Sequence, residues 1–211
     1  MEAGILQFTE QNFISICDEL IKKDADLKVI IDSYGYPPIW KRVASFETII
    51  HIILEQQVSL ASALAALKKL QDTLGEITPQ SFLALSNEEL KSCYFSRQKI
   101  MYAQHLATLF LNGDLNLAAL GEMDNDKVRR ELTKIKGIGN WSVDVYLMMV
   151  LQRADLFPLG DIALIKSVIE TKHLSKEISK QTIADIAAQW KPYQTIAAFI
   201  LWHGYLKKRN R

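Results

Sequence analysis

A chain of 211 residues can build one generous domain or two small ones sharing a cleft, and 49 % hydrophobic against 23 % charged residues excludes wholesale disorder. Its formal net charge of +1 excludes a protein that holds nucleic acid by bulk charge alone, because such proteins carry a strong basic excess. The two cysteines, Cys17 and Cys93, are too few for a disulfide scaffold and too far apart for a metal-binding pair, which points to a reducing compartment.

The opening residues show no basic region followed by a long apolar run, and no stretch approaches the ~20 apolar residues of a membrane span. The expected location is the cytoplasm, or the nucleus of a eukaryotic cell, with no membrane association. Periodicity is helical nearly throughout. Phe13, Ile14, Ile16, Cys17, Leu20 and Ile21 share one face of a first helix, with its cap expected at Thr9. Tyr36-Pro37-Pro38 reads as a loop. Ile49, Ile50, Ile53 and Leu54 mark a helix after Ser45, and Leu60, Leu64, Leu67 and Leu70 mark another that stops near Gly75. Thr78 and Pro79 suit a cap and a first helical position, and Ser86 to Glu89 has capping-box spacing. A longer helix is expected from Arg97 to Leu111, ending near Gly113, and Asp124 caps one carrying Val128, Leu132 and Ile135. Ile183, Ile186 and Ala187 precede Trp190, and Ile196 to Leu206 form a last apolar helix. No two-residue turn joins alternating runs, so the fold class is all-α. The basic run Lys207 to Arg211 reads as a solvated chain end.

The most informative segment runs Leu132-Thr-Lys-Ile-Lys-Gly-Ile-Gly-Asn-Trp-Ser-Val-Asp-Val145. Gly137 and Gly139 lie between two apolar-periodic helices. Glycine permits positive φ and leaves backbone N–H groups bare for an anion, while a helix starting near Asn140 adds its positive end. Together they make a sequence-independent seat for a DNA phosphate, with Ile138 plugged into the core. The alternative is that Gly137 simply ends one helix and Gly139 begins the next. Asp161, after Phe157-Pro158-Leu159-Gly160 and before Ile162, Leu164 and Ile165, is on these grounds alone a helix N-cap.

The run from Ile135 through Asp161 to Lys166 resembles the helix-hairpin-helix DNA glycosylases, in which a Gly/Pro-rich loop ends in a catalytic Asp. It is most similar to the 3-methyladenine DNA glycosylase II branch. Ile53-Leu-Glu-Gln-Gln-Val-Ser59 is similar to that branch's Gln-Gln-x-Ser loop, Ser96 to Lys99 to its S-x-x-K helix start, and Trp190-Lys-Pro-Tyr193 with Trp202 to its C-terminal signature. The likeness spans roughly residues 45 to 205.

The resemblance implies two helical subdomains flanking a DNA-binding cleft. Residues 45–153 would form a helical barrel with the hairpin at about 125–151; 1–44 and 154–211 would form the second, carrying the catalytic Asp161. It further implies that Gln57 fills the gap left by an extruded base and that Ser59 faces the minor groove. Gly137, Ile138 and Gly139 would hold phosphate, and Trp141, Tyr146 and Trp202 would line the base pocket. The relatives' pocket tyrosine falls on Val145, with Tyr146 adjacent, and their common arginine falls on Gln194. Backbone carbonyls of Thr133, Ile135 and Ile138 are implied as ligands of a structural Na⁺ or K⁺. Strand-cleaving relatives carry a lysine nucleophile where this chain has Trp141, and two distant cysteines cannot hold an iron–sulfur cluster. The expectation is a monomeric, monofunctional glycosylase without other cofactors, acting on alkylated bases in double-stranded DNA. A cationic alkylpurine leaves without prior protonation, so a single carboxylate suffices to stabilise the sugar's positive charge. Two alternatives stay open: a glycosylase of the same fold for oxidised or deaminated purines, and a non-catalytic helix-hairpin-helix module.

Overall fold

The computed structural model describes residues 5–210. Residues 1–4 and Arg211, the outermost parts of the expected second subdomain and of the basic run, lie outside the described residues. Among the described residues thirteen helices follow in order: α1 (Phe13–Lys23), α2 (Ala25–Tyr34), α3 (Phe46–Glu55), α4 (Leu60–Leu74), α5 (Pro79–Leu83), α6 (Asn87–Ser92), α7 (Arg97–Asn112), α8 (Leu117–Gly121), α9 (Asn125–Thr133), α10 (Asn140–Met149), α11 (Ile162–Thr171), α12 (Lys180–Ala188) and α13 (Gln194–Lys207). Among the described residues the only strand-like feature is an isolated bridge between Gln7 and Arg153. The chain is all-α.

Short polar side chains start most of these helices. Ser45, Ser59, Ser96, Asp124 and Ser179 each accept a backbone N–H three residues ahead, and Thr78 and Ser86 form reciprocal capping boxes. Gly75 and Gly113 end α4 and α7 at positive φ. Two expectations shift. Thr9 does not cap α1 directly: it exchanges hydrogen bonds with Asn12 (2.7 and 3.3 Å), closing a turn ahead of the helix. Ile135 lies past the end of α9, yet is buried there.

The chain divides into two compact units, Arg42–Tyr146 and the remainder up to Lys41 and from Leu147 onward. The divisions thus fall at 42 and 146 where the sequence places them at 45 and 153. Met148, in the last turn of α10, belongs to the core of the second of these units. That core is built on α13, which is buried from Thr195 to Gly204 and is apolar there except for Thr195 and His203. Phe8 and Phe13 pack on Phe199 at 5.8 and 6.2 Å between ring centres. A Cβ on Gly204 would lie 2.9 Å from Ile30 Cγ2, so the missing side chain is what lets α13 approach α2.

Asp24 pins the same unit from the other side of α2. It caps that helix, accepts Lys172 Nζ at 2.7 Å and accepts Trp190 Nε1 at 2.7 Å. Burial alone would raise the Asp24 carboxyl, but the hydrogen bonds from Lys172 and Trp190 outweigh it and hold the group below its ordinary value. In the 42–146 unit, α3, α4 and α7 enclose Ile49, Ile50, Ile53, Leu70 and Leu106.

Candidate active site and DNA-facing loops

Asp161 ends a loop whose shape is set by packing and one turn. Phe157 lies against Trp190 (5.7 Å between ring centres), and Asp161 N–H donates to the Pro158 carbonyl at 2.9 Å. The carboxylate then caps α11, Oδ1 accepting Leu164 N–H at 2.7 Å. The same oxygen accepts the indole N–H of Trp202 at 3.1 Å. Two donors from different elements, α11 and α13, therefore fix its orientation. Asp161 is half-buried, and the next side chain, Ile162, stands 71 % exposed.

Trp202 is only 8 % exposed. It stacks on Phe199 (5.9 Å, 29°) and meets the edge of Trp40 (6.2 Å, 86°). Trp40 is half-buried and was not expected at the site, since a single aromatic after a proline loop sits in no periodic frame. Gln194 donates to Asp155 at 2.8 Å and ties the start of α13 to the loop between α10 and α11. Trp190 is core.

In the 42–146 unit the hairpin takes the expected shape, but its glycines differ. Gly137 has φ +92°, and a Cβ there would fall 2.2 Å from the Tyr102 ring on α7. Gly139 is outside the positive-φ region and has nothing within 4 Å of its missing Cβ. Gly137 is thus required for conformation and packing, whereas Gly139 leaves open space beside the start of α10. Ile138 is buried, and its N–H donates to Ile135 O at 3.0 Å. Arg129 braces the helix start, donating to Asn140 Oδ1 at 3.2 Å and to Asp144. Burial raises the Asp144 carboxyl even against that guanidinium.

Tyr146 corrects the pocket assignment. It is 1 % exposed beside Ile49, Ile52, Leu132, Ile138 and Ser142, its hydroxyl without a hydrogen-bond partner. Burial pushes its phenol up to about 12. A side chain buried in that way packs in the core between the hairpin and α3. Val145 is buried as well, and Trp141 is half-buried on the first turn of α10.

The loop between α3 and α4 presents Gln57 and Ser59. Gln57 is exposed with φ +58°; Ser59 is exposed while its hydroxyl caps α4. Gln56 turns inward, its amide nitrogen donating to Gly137 O (2.8 Å) and Ser142 Oγ (2.9 Å). Lys99 closes the end of α3, donating to Leu54 O at 2.7 Å. In the sequence only the family resemblance singles out Gln57 over Gln56, because adjacent identical residues carry no periodic pattern.

Thr133, Ile135 and Ile138 lie at the end of α9 and in the hairpin. The Ile135 carbonyl accepts one N–H and keeps a second lone pair, so this donor set of neutral oxygens fits a hard monovalent cation. Among the described residues no group of three His, Cys, Asp or Glu could hold a metal ion. No helix among them is long and apolar enough to cross a membrane.

Residues 50–192 match the family model described as HhH-GPD superfamily base excision DNA repair protein. The chain is similar to the YfjP protein of Bacillus subtilis (27 % identity, 83 % of this chain and 64 % of the relative). It is also similar to a DNA-3-methyladenine glycosylase of Bacillus subtilis (28 % identity, 74 % of this chain and 56 % of the relative). It therefore spans less than two thirds of either relative's length. Among solved structures, the 3-methyladenine DNA glycosylase Mag1 of Schizosaccharomyces pombe in complex with abasic DNA superposes with a TM-score of 0.82 at 25 % identity, covering 89 % of this chain and 95 % of that one. With its hairpin, its all-helical architecture and a family match over more than half its length, the chain belongs to the HhH-GPD superfamily of base excision DNA repair proteins.

Proposed function

We propose that the protein is a monofunctional DNA glycosylase that hydrolyses the N-glycosidic bond of alkylated bases, of the N3-methyladenine and N7-methylguanine type, in double-stranded DNA. The observation that carries this reading is the Asp161 carboxylate, held by Leu164 N–H and the Trp202 indole at the edge of an aromatic cluster. Breaking the bond between base and deoxyribose builds positive charge on the sugar, and a fixed carboxylate stabilises it without reorganising at the moment of reaction. The same group orients or deprotonates the attacking water. Electron-rich faces of Trp202 and Trp40 favour a cationic purine, a contact worth up to ~2 kcal/mol when desolvated. Such a base departs without needing a second acid.

Gly139 and the start of α10 would take a phosphate, while Gln57 and Ser59 would enter the minor groove where the base has left. Extruding that base costs a few kcal/mol. Trp141 occupies the position at which strand-cleaving relatives carry lysine, so no Schiff base is expected. The carbonyls of Thr133, Ile135 and Ile138 would hold Na⁺ or K⁺ as a brace for the hairpin. The protein acts as a monomer in the cytoplasm, or in the nucleus of a eukaryote. The names of the relatives and the abasic DNA bound to Mag1 support this reading.

Base release from duplexes carrying one lesion each, at one salt concentration, tests it. N3-methyladenine and N7-methylguanine should leave fastest, with strands intact until alkali is added and no adduct trapped by borohydride. Fastest release of 8-oxoguanine or hypoxanthine would move the assignment to neutral purines. DNA binding without release of any base would leave a non-catalytic module.

A further inference from the structure

The α3–α4 tip and the hairpin lie some eighty residues apart in sequence, and one side chain joins them: Gln56 reaches Gly137 O and Ser142 Oγ with the same nitrogen. A primary amide nitrogen carries two N–H bonds. Both are used, which fixes the plane of the side chain as well as its reach. One partner is a backbone carbonyl, which cannot rotate away as a side chain can. With Gln56 turned inward, the left-handed step at Gln57 carries the chain back outward. The loop is thereby tethered at Leu54 by Lys99, at Gln56 by the hairpin and at Ser59 by the first turn of α4. Gln57 and Val58 are left exposed between those tethers.

We propose that Gln56 is a positioning residue that locks the Gln57 tip in register with the hairpin's phosphate seat, so that gripping the backbone and filling the vacated place in the stack happen as one event. The inference rests on the reading of both loops as DNA-facing. A tip placed about 1 Å off its productive position loses much of the benefit of preorganisation, whatever the strength of the phosphate grip. The grip itself comes from backbone groups that do not involve Gln56.

The test uses the full chain and four variants. Gln56→Glu keeps the shape but cannot donate to Gly137 O, Gln56→Met removes both bonds at similar length, Ser142→Ala removes one acceptor, and Gln57→Ala removes the tip side chain. A duplex with 2-aminopurine beside the target base reports stack opening, read at saturating protein so that the plateau does not depend on affinity. Gln56→Glu and Gln56→Met should bind undamaged duplex within about twofold of the parent, with an unchanged salt slope, since phosphate contacts are intact. They should lose most of the fluorescence plateau and about tenfold in single-turnover base release, matching Gln57→Ala, because the amide tether that places the tip is gone. Ser142→Ala should fall between, which keeps the test decisive if Gln56→Glu does not fold. A folded Gln56→Glu with the parental plateau and rate overturns the proposal. So does a plateau loss matched by equal loss of binding to undamaged DNA, which would mark a merely structural bond. If the parent chain itself opens no stack and releases no base, the functional reading falls and this inference falls with it.

Discussion

Asp24 and Asp161 are the same device used twice. Each is an aspartate at a helix N-cap, and each accepts an indole N–H, from Trp190 at 2.7 Å and from Trp202 at 3.1 Å. Their surroundings separate them. Asp24 is 8 % exposed and is matched by Lys172 at 2.7 Å, so its charge is absorbed by the fold. Asp161 stands half-buried at a loop end beside the exposed Ile162 and an aromatic cluster. A cap fixes a carboxylate at a rigid point for either purpose; exposure decides whether that carboxylate stabilises the fold or is available to a substrate.

The comparison predicts a double dissociation. Asp161→Asn should lower base release by at least about a hundredfold, because an electrostatic stabiliser of the transition state is removed. Its amide oxygen still accepts from Leu164, so the melting temperature should hardly move. Asp24→Asn should instead cost about 2 kcal/mol, because Lys172 loses its buried partner and keeps only Asp26, at 2.9 Å. Activity per folded molecule should stay at the parental level. Denaturant melts and single-turnover rates on both proteins decide the matter, and reversed outcomes would break the distinction.

Acid sharpens it. The folded Asp24 carboxyl is held below its unfolded value, so its contribution is present above that value and is lost as pH falls through the folded one. The stability gap between the parent and Asp24→Asn should therefore be constant near neutrality and close below roughly pH 4. Urea melts from pH 7 to pH 3 measure it. A gap that does not begin to narrow as the pH falls below roughly 4 would mean that packing, and not the charge, carries the effect.

Removing the indole donors gives a smaller contrast. Trp190→Phe loses a buried hydrogen bond to a charged group and should cost about 2 kcal/mol with little effect on rate. Trp202→Phe keeps a ring on Phe199 but frees one tether of Asp161, and base release should fall roughly fivefold to tenfold. Equal rate losses in the two variants would show that the indoles act through the core alone. The smallest effect is expected at Gly139→Ala. Its Cβ meets nothing within 4 Å, so the fold should tolerate it. Affinity for every DNA sequence should drop by roughly threefold to tenfold if a phosphate approaches there. Gly137→Ala cannot answer that question, since Tyr102 already fills the space.

Several caps were legible because their chemistry is local: Thr78, Ser86, Asp124 and Asp161 each announce a helix within four residues, whereas the cap at Ser59 was not read. What escaped depends on distance or on facing. Trp202 and Asp161 are 41 residues apart, and no local pattern reveals that an indole reaches the carboxylate. Tyr146 lies on a stretch of α10 buried on nearly all sides, from Ser142 to Met148 with only Asp144 half-exposed. Periodicity there offers no polar face from which to tell a pocket from a core. The Gly-x-Gly pattern permits a left-handed residue at either glycine, and only packing against Tyr102 selects Gly137.

Because Gly204 has no side chain, Ile30 of α2 fills the volume that one on α13 would need. A scan that replaces helical glycines with alanine one position at a time would record Gly204 as immovable, since Ile30 Cγ2 stands 2.9 Å from the new atom. Combined with Ile30→Leu, which moves the branch one carbon outward, the same substitution gains room and the ~1 kcal/mol helix preference of alanine over glycine. Directed evolution toward heat tolerance would find that gain only in libraries that vary both positions together.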